Sequence, residues 1–239
     1  MVLKIEIVQK RGGIKMSKPY IICHMMTSVD GRIDCGMTAQ LQGNNTYYST
    51  LNELNAPTRI SGRVTAQTEL SNGQLLSNSA TPIGKEAFHQ NTVADAYEIV
   101  MDTKGRTSWT DDHGSSRPHL IITSEQASTD YLTDLDNKGI SWIATGKEQI
   151  DLARAMEILR NKFGIERLAI VGGGKINGGF LETGLIDEIS IVIGPGADGR
   201  VNQPSLFDGR SENQRPIDLK LKAVQSFDDG AVWLRYLTK

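Results

Sequence analysis

Short apolar runs recur along this chain, and longer polar or helical segments separate them. A run of about four to eight apolar residues, bounded by glycine or polar residues, is typical of a strand that is buried on both faces. The pattern predicts strands at Tyr20–Met26, Thr58–Ser61, Glu98–Asp102, His119–Thr123, Ser141–Ala144, Leu168–Val171, Glu188–Ile193, Leu219–Phe227 and Ala231–Leu237.

Helical segments lie between most of these strands, with apolar residues at the spacing of one helix face. The predicted helices are Thr46–Leu54, Glu125–Asp136, Ile150–Phe163 and Lys175–Glu182. Alternating strands and helices favour a mostly parallel sheet that is covered by helices. Asp228-Asp229-Gly230 joins the last two strands and reads as a hairpin turn. We therefore predict an α/β fold, with a mostly parallel central sheet flanked by helices and a C-terminal antiparallel hairpin.

Composition narrows the class of protein. The chain has 239 residues and a net charge of -2, a balance that favours neither nucleic acid nor an anionic membrane as a partner. No apolar stretch has the length of a signal peptide or a membrane span, so we expect a cytoplasmic protein. Its two cysteines predict neither a disulfide framework nor a metal site. We expect one domain over residues 16–239 and an N-terminal extension over residues 1–15, because Met16 is a second possible start.

A glycine run, Gly172–Gly174, lies between a predicted strand and a predicted helix. Glycine lets the backbone turn sharply, and a helix start offers free N–H groups to an anion, most often a phosphate. A side chain at Gly174 is expected to fill the phosphate space. The spacing fits neither the Rossmann fingerprint, whose third glycine comes one place late here, nor the P-loop, since Ile176 follows Lys175. A purely structural turn remains the alternative.

Other polar residues also follow predicted strands. Asp30-Gly31 follows the first strand and Thr103 follows the third. Ligands of open α/β sheets bind outside the carboxyl ends of the strands, so we expect these residues to meet the glycine run in one crevice. Three long polar loops, at residues 70–92, 106–118 and 194–216, are expected to be functional or mobile.

Four motifs, taken together and in order, resemble a known family. They are Thr27-Ser28-Val29-Asp30-Gly31-Arg32, Gly62-Arg63-Val64-Thr65, Ile99-Val100-Met101-Asp102-Thr103, and Gly172–Gly184 with Leu185-Ile186-Asp187-Glu188. Over residues 18–237 the chain resembles the reductase domain of riboflavin biosynthesis, a member of the dihydrofolate-reductase-like superfamily. The resemblance implies that superfamily's fold, NADPH as the cofactor, hydride transfer to C1′ of a ribosylamino-pyrimidine, and a homodimer. The cofactor carries the redox chemistry, so the protein has only to bind and orient the cofactor and the substrate and to polarise the reacting bond.

The resemblance also implies which residues contact the cofactor. Its match at the nicotinamide end is Thr27, and the further contacts it implies are Gly62, Arg63, Thr65, Glu69, Thr103 and Gly172. The backbone that would cradle the pyrophosphate belongs to Gly173, Gly174, Lys175, Ile176 and Asn177. Gly178 and Gly179 would let the helix approach the sheet closely. Lys104 and Arg106 either meet the 2′-phosphate of NADPH or are simply solvated.

Departures from the family pattern concern the substrate. Val171 stands where the family has a glutamate beside the substrate, and the family's Asp-Asp-Pro segment is replaced by residues 68–73. The substrate is therefore expected to be a pyrimidine or a related heterocycle held in another way. Asp30 is the candidate for the missing polar group, unless it only caps its own turn.

Two other functions remain open. A pterin reductase of the dihydrofolate type would need a carboxylate on the helix after the first strand, where Glu53 is the candidate. A non-catalytic nucleotide-binding dimer module would have kept the cofactor cleft and lost the substrate site, as Val171 suggests. Cofactor binding followed by a turnover assay distinguishes the three.

Overall fold

A computed structural model describes residues 17–70, 74–76 and 81–239, without the side chains of Thr68 and Glu69. The proposed extension over residues 1–15 lies outside this part. The strands are β1 (Tyr20–Thr27), β2 (Thr58–Gly62), β3 (Ala87–His89), β4 (Glu98–Met101), β5 (His119–Thr123), β6 (Ser141–Ala144), β7 (Arg167–Gly172), β8 (Glu188–Ile193), β9 (Leu219–Ser226) and β10 (Val232–Thr238). The helices are α1 (Cys35–Thr38), α2 (Asn44–Glu53), α3 (Arg63–Glu69), α4 (Thr129–Asn137), α5 (Leu152–Lys162) and α6 (Gly174–Glu182).

All ten strands form one sheet in the order β3-β6-β5-β4-β2-β7-β1-β8-β10-β9. Neighbours from β6 to β8 are parallel, whereas β10 pairs antiparallel with both β8 and β9. The predicted fold class and the C-terminal hairpin are confirmed. Among the described residues, no helix is long and apolar enough to cross a membrane.

The other end of the sheet differs from the prediction. Strand β3 lies inside the expected loop 70–92 and pairs antiparallel with β6. Ala87 is partly buried, whereas Phe88 and His89 are exposed, so β3 lacks the buried apolar run that marks the central strands. Helix α4 begins later than predicted because Ser128 caps it, accepting a hydrogen bond from the backbone N–H of Tyr131.

The core lies on both faces of the sheet. On one face, α5 buries Ala155, Met156, Ile158 and Leu159 in the largest apolar cluster, which also includes Phe180 of α6. On the other face, Leu51 and Leu54 from the α2 region pack on Ile22 and Ala169 of the sheet. The central parallel strands therefore end at one edge with their carboxyl ends exposed between the helices, where ligands of α/β sheets bind.

Candidate active site

A cleft of about 800 Å³ lies at the carboxyl ends of β2, β4 and β7. Its size is in the range of small-molecule and cofactor sites, about 300 to 1,000 Å³. The predicted site residues that line it are Gly62, Arg63, Thr65, Thr103, Val171, Gly172, Gly173, Gly174, Lys175 and Ile176. Three of the four sequence motifs thus meet at one place. The strand-end argument predicted this for Thr103 and the glycine run, but it also placed Asp30-Gly31 in the same crevice, and neither of those two residues lines the cleft.

The glycine run forms the start of helix α6. Gly173 precedes the helix with φ +89°, a backbone conformation that favours glycine. A Cβ placed on Gly173 would meet no described atom closer than Ile176 Cγ1, at 3.8 Å, so the turn faces open space. The first N–H groups of an α-helix have no partner within the helix and attract an anion. The turn is therefore suited to a phosphate.

Two further glycines allow helices to approach the cleft floor. A Cβ on Gly62 would lie 2.8 Å from Ile176 Cγ1, and one on Gly172 would lie 3.0 Å from Thr65 Oγ1. Both distances are shorter than ordinary side-chain contacts allow. The absence of side chains at these positions brings α3 and α6 against the ends of β2 and β7.

The other side of the α6 start does not face the cleft, because residues 205–208 pack against it. A Cβ on Gly174 would lie 2.6 Å from Asp208 Oδ2, and the side chain of Asn177 donates a hydrogen bond of 2.7 Å to the carbonyl of Leu206. The expectation that a side chain at Gly174 would fill the phosphate space is therefore wrong, because it would displace residues 205–208 instead.

Gly178 and Gly179 also differ from their expected role, and neither lines the cleft. A Cβ on Gly178 would lie 2.9 Å from the carbonyl carbon of Asp208 and closer still to its oxygen. A Cβ on Gly179 would make an ordinary contact of 3.6 Å with Leu152. Gly178 therefore allows the loop 194–216 to close on α6, whereas no close approach to the sheet requires either glycine.

Asp102 shapes the wall beside β4. Its buried carboxylate accepts hydrogen bonds of 2.7 Å from the backbone N–H groups of Arg106 and Thr107. These bonds fix the turn that carries Thr103, Lys104 and Arg106 along the cleft. Two cations, Lys104 and Arg106, thus line the same cleft as the start of α6.

Thr27 and Asp30 lie at the end of β1, and neither lines the cleft. Asp30 accepts hydrogen bonds from Ser28 Oγ (2.6 Å) and from the backbone N–H groups of Asp198 and Gly199 (2.9 Å each). These bonds, the one from Ser28 first, lower the pKa of Asp30. The carboxylate therefore joins β1 to the loop 194–216. Its catalytic role stays a prediction, and the contacts favour the turn-holding alternative.

Two more candidates can be placed. Glu53 at the end of α2 is exposed and does not line the cleft, so the carboxylate expected for a pterin reductase faces solvent. Glu69 ends α3, and its side chain lies outside the described part of the structure.

A second cavity of about 330 Å³ meets the cleft at shared residues that include Met25, Thr65 and Val171. It also contains three polar side chains that the sequence reasoning missed, those of Arg59, Ser61 and Glu98. A signal was present, because Arg59 and Ser61 flank Ile60 in a strand expected to be buried on both faces, which places both polar side chains on the face opposite Ile60. The cavity lies on the sheet face that α2 covers.

Comparison with known proteins identifies the family. Residues 19–233 match the model of the RibD C-terminal domain. The chain belongs to this family. The resemblance carried by the four sequence motifs is thereby confirmed.

Individual relatives agree with this assignment. A 2,5-diamino-6-ribosylamino-4(3H)-pyrimidinone 5′-phosphate reductase from Methanothermobacter thermautotrophicus is 30% identical over 136 residues, which are 55% of this chain and 61% of that protein. The match therefore spans about three fifths of that relative. A reductase of the same name from Archaeoglobus fulgidus is 24% identical over 204 residues, 81% of this chain and 88% of that protein.

Solved structures share the fold. A pyrimidine reductase-like protein from Corynebacterium diphtheriae superposes with a TM-score of 0.70 at 20% identity, covering 92% of both chains. Acinetobacter baumannii RibD superposes with a TM-score of 0.64 at 20% identity, covering 93% of this chain and 58% of that one.

Proposed function

We propose that this RibD C-terminal domain protein is an NADPH-dependent reductase that acts on a ribosylamino-pyrimidine phosphate. The observation that carries the proposal is the cleft itself, in which the glycine turn, the α3 start and the β4 turn meet at the carboxyl edge of the sheet. The two relatives named as pyrimidinone phosphate reductases support this choice of substrate.

The described residues fit a nicotinamide dinucleotide. The open turn at Gly173 would hold the pyrophosphate on the N–H groups of α6. Lys104 and Arg106 would pair with the 2′-phosphate, which selects NADPH over NADH. When bound, the cofactor would supply the hydride for C1′ of the ring-opened imine form, and a proton from water on the imine nitrogen would complete the reduction to a ribitylamino group. The protein's part is to hold that carbon near the junction of the two cavities, where Val171 and Thr65 lie, and to exclude water.

We also propose a homodimer that forms through the edge of the sheet at the C-terminal hairpin, where β9 is the outermost strand. Strand β9 is an edge strand, and all its residues are exposed. Leu221 and Val224 are 53% and 60% exposed. A long edge strand with exposed apolar side chains invites pairing with another chain, and a second copy would cover it.

Titration followed by turnover tests the proposed function. NADPH and NADH are titrated calorimetrically, and cofactor oxidation is then followed with 2,5-diamino-6-ribosylamino-4(3H)-pyrimidinone 5′-phosphate and, separately, with dihydrofolate. We expect NADPH binding and oxidation with the pyrimidinone phosphate. Oxidation with dihydrofolate alone would favour a pterin reductase, and binding without any oxidation would favour the non-catalytic module.

Charge reversal at the β4 turn tests the cofactor preference. Arg106→Glu should weaken NADPH binding by about tenfold, since one ion pair with a phosphate is lost and a repulsion is added. NADH affinity should change much less, because NADH lacks the 2′-phosphate. Arg210→Glu, which alters an arginine paired with Glu182 away from the cleft, is the control. Equal losses for both cofactors would contradict the assignment of Arg106.

A further inference from the structure

The smaller cavity has a largely apolar wall and, on one side, the three polar side chains of Arg59, Ser61 and Glu98. Arg59 of β2 and Glu98 of β4 are register partners in adjacent parallel strands. Ser61 lies two residues after Arg59 on β2, so its side chain points to the same face of the sheet. Met26, Tyr47 and Leu51 are among the apolar residues that surround them.

Two polar atoms in this group have no hydrogen-bond partner in the part of the chain that the structure describes. Arg59 Nε and Ser61 Oγ are buried, and neither has a hydrogen-bond partner among the described residues. Ser61 is only 1% exposed. A buried donor without a partner destabilises a folded protein, so native structures rarely keep one without a use. Arg59 and Ser61 both line a cavity large enough for a ring, so a ligand that packs against these two side chains could supply the missing partners.

Glu98 completes the polar group. Its side chain is 14% exposed and lies 3.6 Å from Arg117 Nη1. Burial raises the pKa of Glu98, while the charges of Arg59 and Arg117 oppose that rise. The cavity therefore presents hydrogen-bond donors, from Arg59 and Ser61, next to a carboxylate that can accept.

We propose that Arg59, Ser61 and Glu98 bind the amide edge of the substrate's pyrimidine ring, an inference that rests on the proposed function. Such an edge has a carbonyl oxygen beside a ring N–H, and a neighbouring amino group adds a second donor. Arg59 and Ser61 donate to the carbonyl, and Glu98 accepts from the N–H groups. These residues supply the polar recognition that Val171 cannot.

The position of the cavity agrees with the chemistry. The reacting carbon C1′ is bonded to the nitrogen that the ring carries, so it lies one bond beyond the ring substituent. A ring inside the cavity would place C1′ at the opening toward the cleft, where Met25, Thr65 and Val171 are shared by both cavities. A polar site that is built to pair with a ring edge also rejects rings without one, because its own groups would stay unpaired.

Ring binding can be measured without turnover. Methyl-labelled methionine reports on the cavity, because Met25 and Met26 both line it. We expect 5,6-diaminouracil to shift both methyl resonances in the wild type, and aniline, a ring without the amide edge, to leave them unchanged at the same concentration. In Ser61→Ala and Glu98→Gln the concentration for half-maximal shift should rise by about tenfold, as expected when one buried hydrogen bond is lost.

Two controls make the test decisive. Ser61→Ala removes a hydroxyl without a described partner, so the variant should fold with an unchanged or higher melting temperature, and NADPH affinity should stay at the wild-type value. Glu86→Gln, which alters a carboxylate paired with Arg154 outside both cavities, should bind 5,6-diaminouracil like the wild type.

The outcomes separate this inference from the proposed function. Equal binding of 5,6-diaminouracil by the wild type, Ser61→Ala and Glu98→Gln would overturn the inference, as would no binding at all. Ring binding that depends on Ser61 and Glu98, but without NADPH oxidation by the pyrimidinone phosphate, would overturn the proposed reaction and leave the ring site supported. In an active enzyme, Ser61→Ala should raise the KM for the pyrimidinone phosphate and leave NADPH affinity at the wild-type value.

Discussion

Gly178 of helix α6 lies directly against the backbone of Asp208, so close that any side chain at this position would overlap the Asp208 carbonyl. Asp208 is held there by a hydrogen bond of 2.9 Å from its N–H to the carbonyl of Gly174, and its carboxylate accepts hydrogen bonds from Ser205. Because Asp208 and Pro204 line the cleft, this contact fixes one of the cleft walls.

Gly178→Ala should therefore displace residues 205–208. We expect the free energy of unfolding to fall by about 1 to 3 kcal/mol, the range for overpacking a tight contact, and cofactor affinity to fall with it. Gly179→Ala is a matched control one residue away, since its Cβ would make only an ordinary contact. That variant should be neutral or stabilised by up to about 1 kcal/mol, because alanine favours a helix over glycine. Urea unfolding of both variants measures the difference, and equal stabilities would contradict the packing argument.

Asp30→Asn tests the two roles left open for that residue. The carboxylate holds the N–H groups of Asp198 and Gly199, so its loss should free the loop 194–216 and speed proteolysis there. If Asp30 only holds the loop, turnover should fall no further than the loosening of the loop explains. Asp30→Glu, which keeps a carboxylate, should then restore part of the resistance to proteolysis. A large fall in kcat with unchanged proteolysis would support the catalytic role instead. Asp228→Asn, which alters an exposed turn carboxylate, serves as the control.

Apolar runs and turn sequences predicted those parts of the fold that depend on residues close together in the chain. The buried strands β4 and β5 are apolar runs, and the β9–β10 hairpin follows from its turn sequence. Strand β3 could not be predicted, because its partly exposed residues form a strand only through pairing with β6. The same distinction holds for the candidate site. The positions of Thr103 and the glycine run at strand ends could be predicted from the sequence, and they line the cleft.

Contacts between distant segments had no sequence signal. The approach of Asp208 to Gly178 joins residues from a loop and a helix, and no periodicity connects them. By contrast, Arg59 and Ser61 could have been found, because they flank Ile60 on a short strand expected to be buried on both faces. A polar residue on the buried face of a strand therefore indicates a candidate binding site.

The proposed dimer can be tested on strand β9. The double variant Leu221→Lys with Val224→Lys should shift the wild-type dimer toward a monomer of 26.2 kDa in sedimentation at micromolar concentration, because charged edges resist strand pairing. Val93→Lys, at a position that is 84% exposed and far along the chain from β9, should leave the dimer intact. A monomeric wild type, or a double variant that still dimerises with unchanged affinity, would remove the proposal.

His24 should make stability depend on pH. It is fully buried, and its ring lies in a chain of hydrogen bonds: Trp233 Nε1 donates to Ser190 Oγ (2.7 Å), and Ser190 lies 2.9 Å from His24 Nδ1. His24 Nε2 lies 3.1 Å from the backbone carbonyl of Tyr47, which can only accept, so Nε2 carries the proton and the neutral ring satisfies both contacts. Burial lowers the pKa of His24 from 6.5 to about 4.

The sign of the effect follows from this lowered pKa. Below pH 6.5 the unfolded chain takes up a proton that the folded protein resists, so stability is full above pH 6.5 and falls as the pH drops toward 4. The loss attributable to His24 should total about 3 kcal/mol by pH 4. Urea unfolding of the wild type and His24→Gln across this range should show the gap between them narrowing as the pH falls. Parallel curves, or a His24 resonance that titrates near pH 6.5 in the folded wild type, would show that the ring is not held neutral.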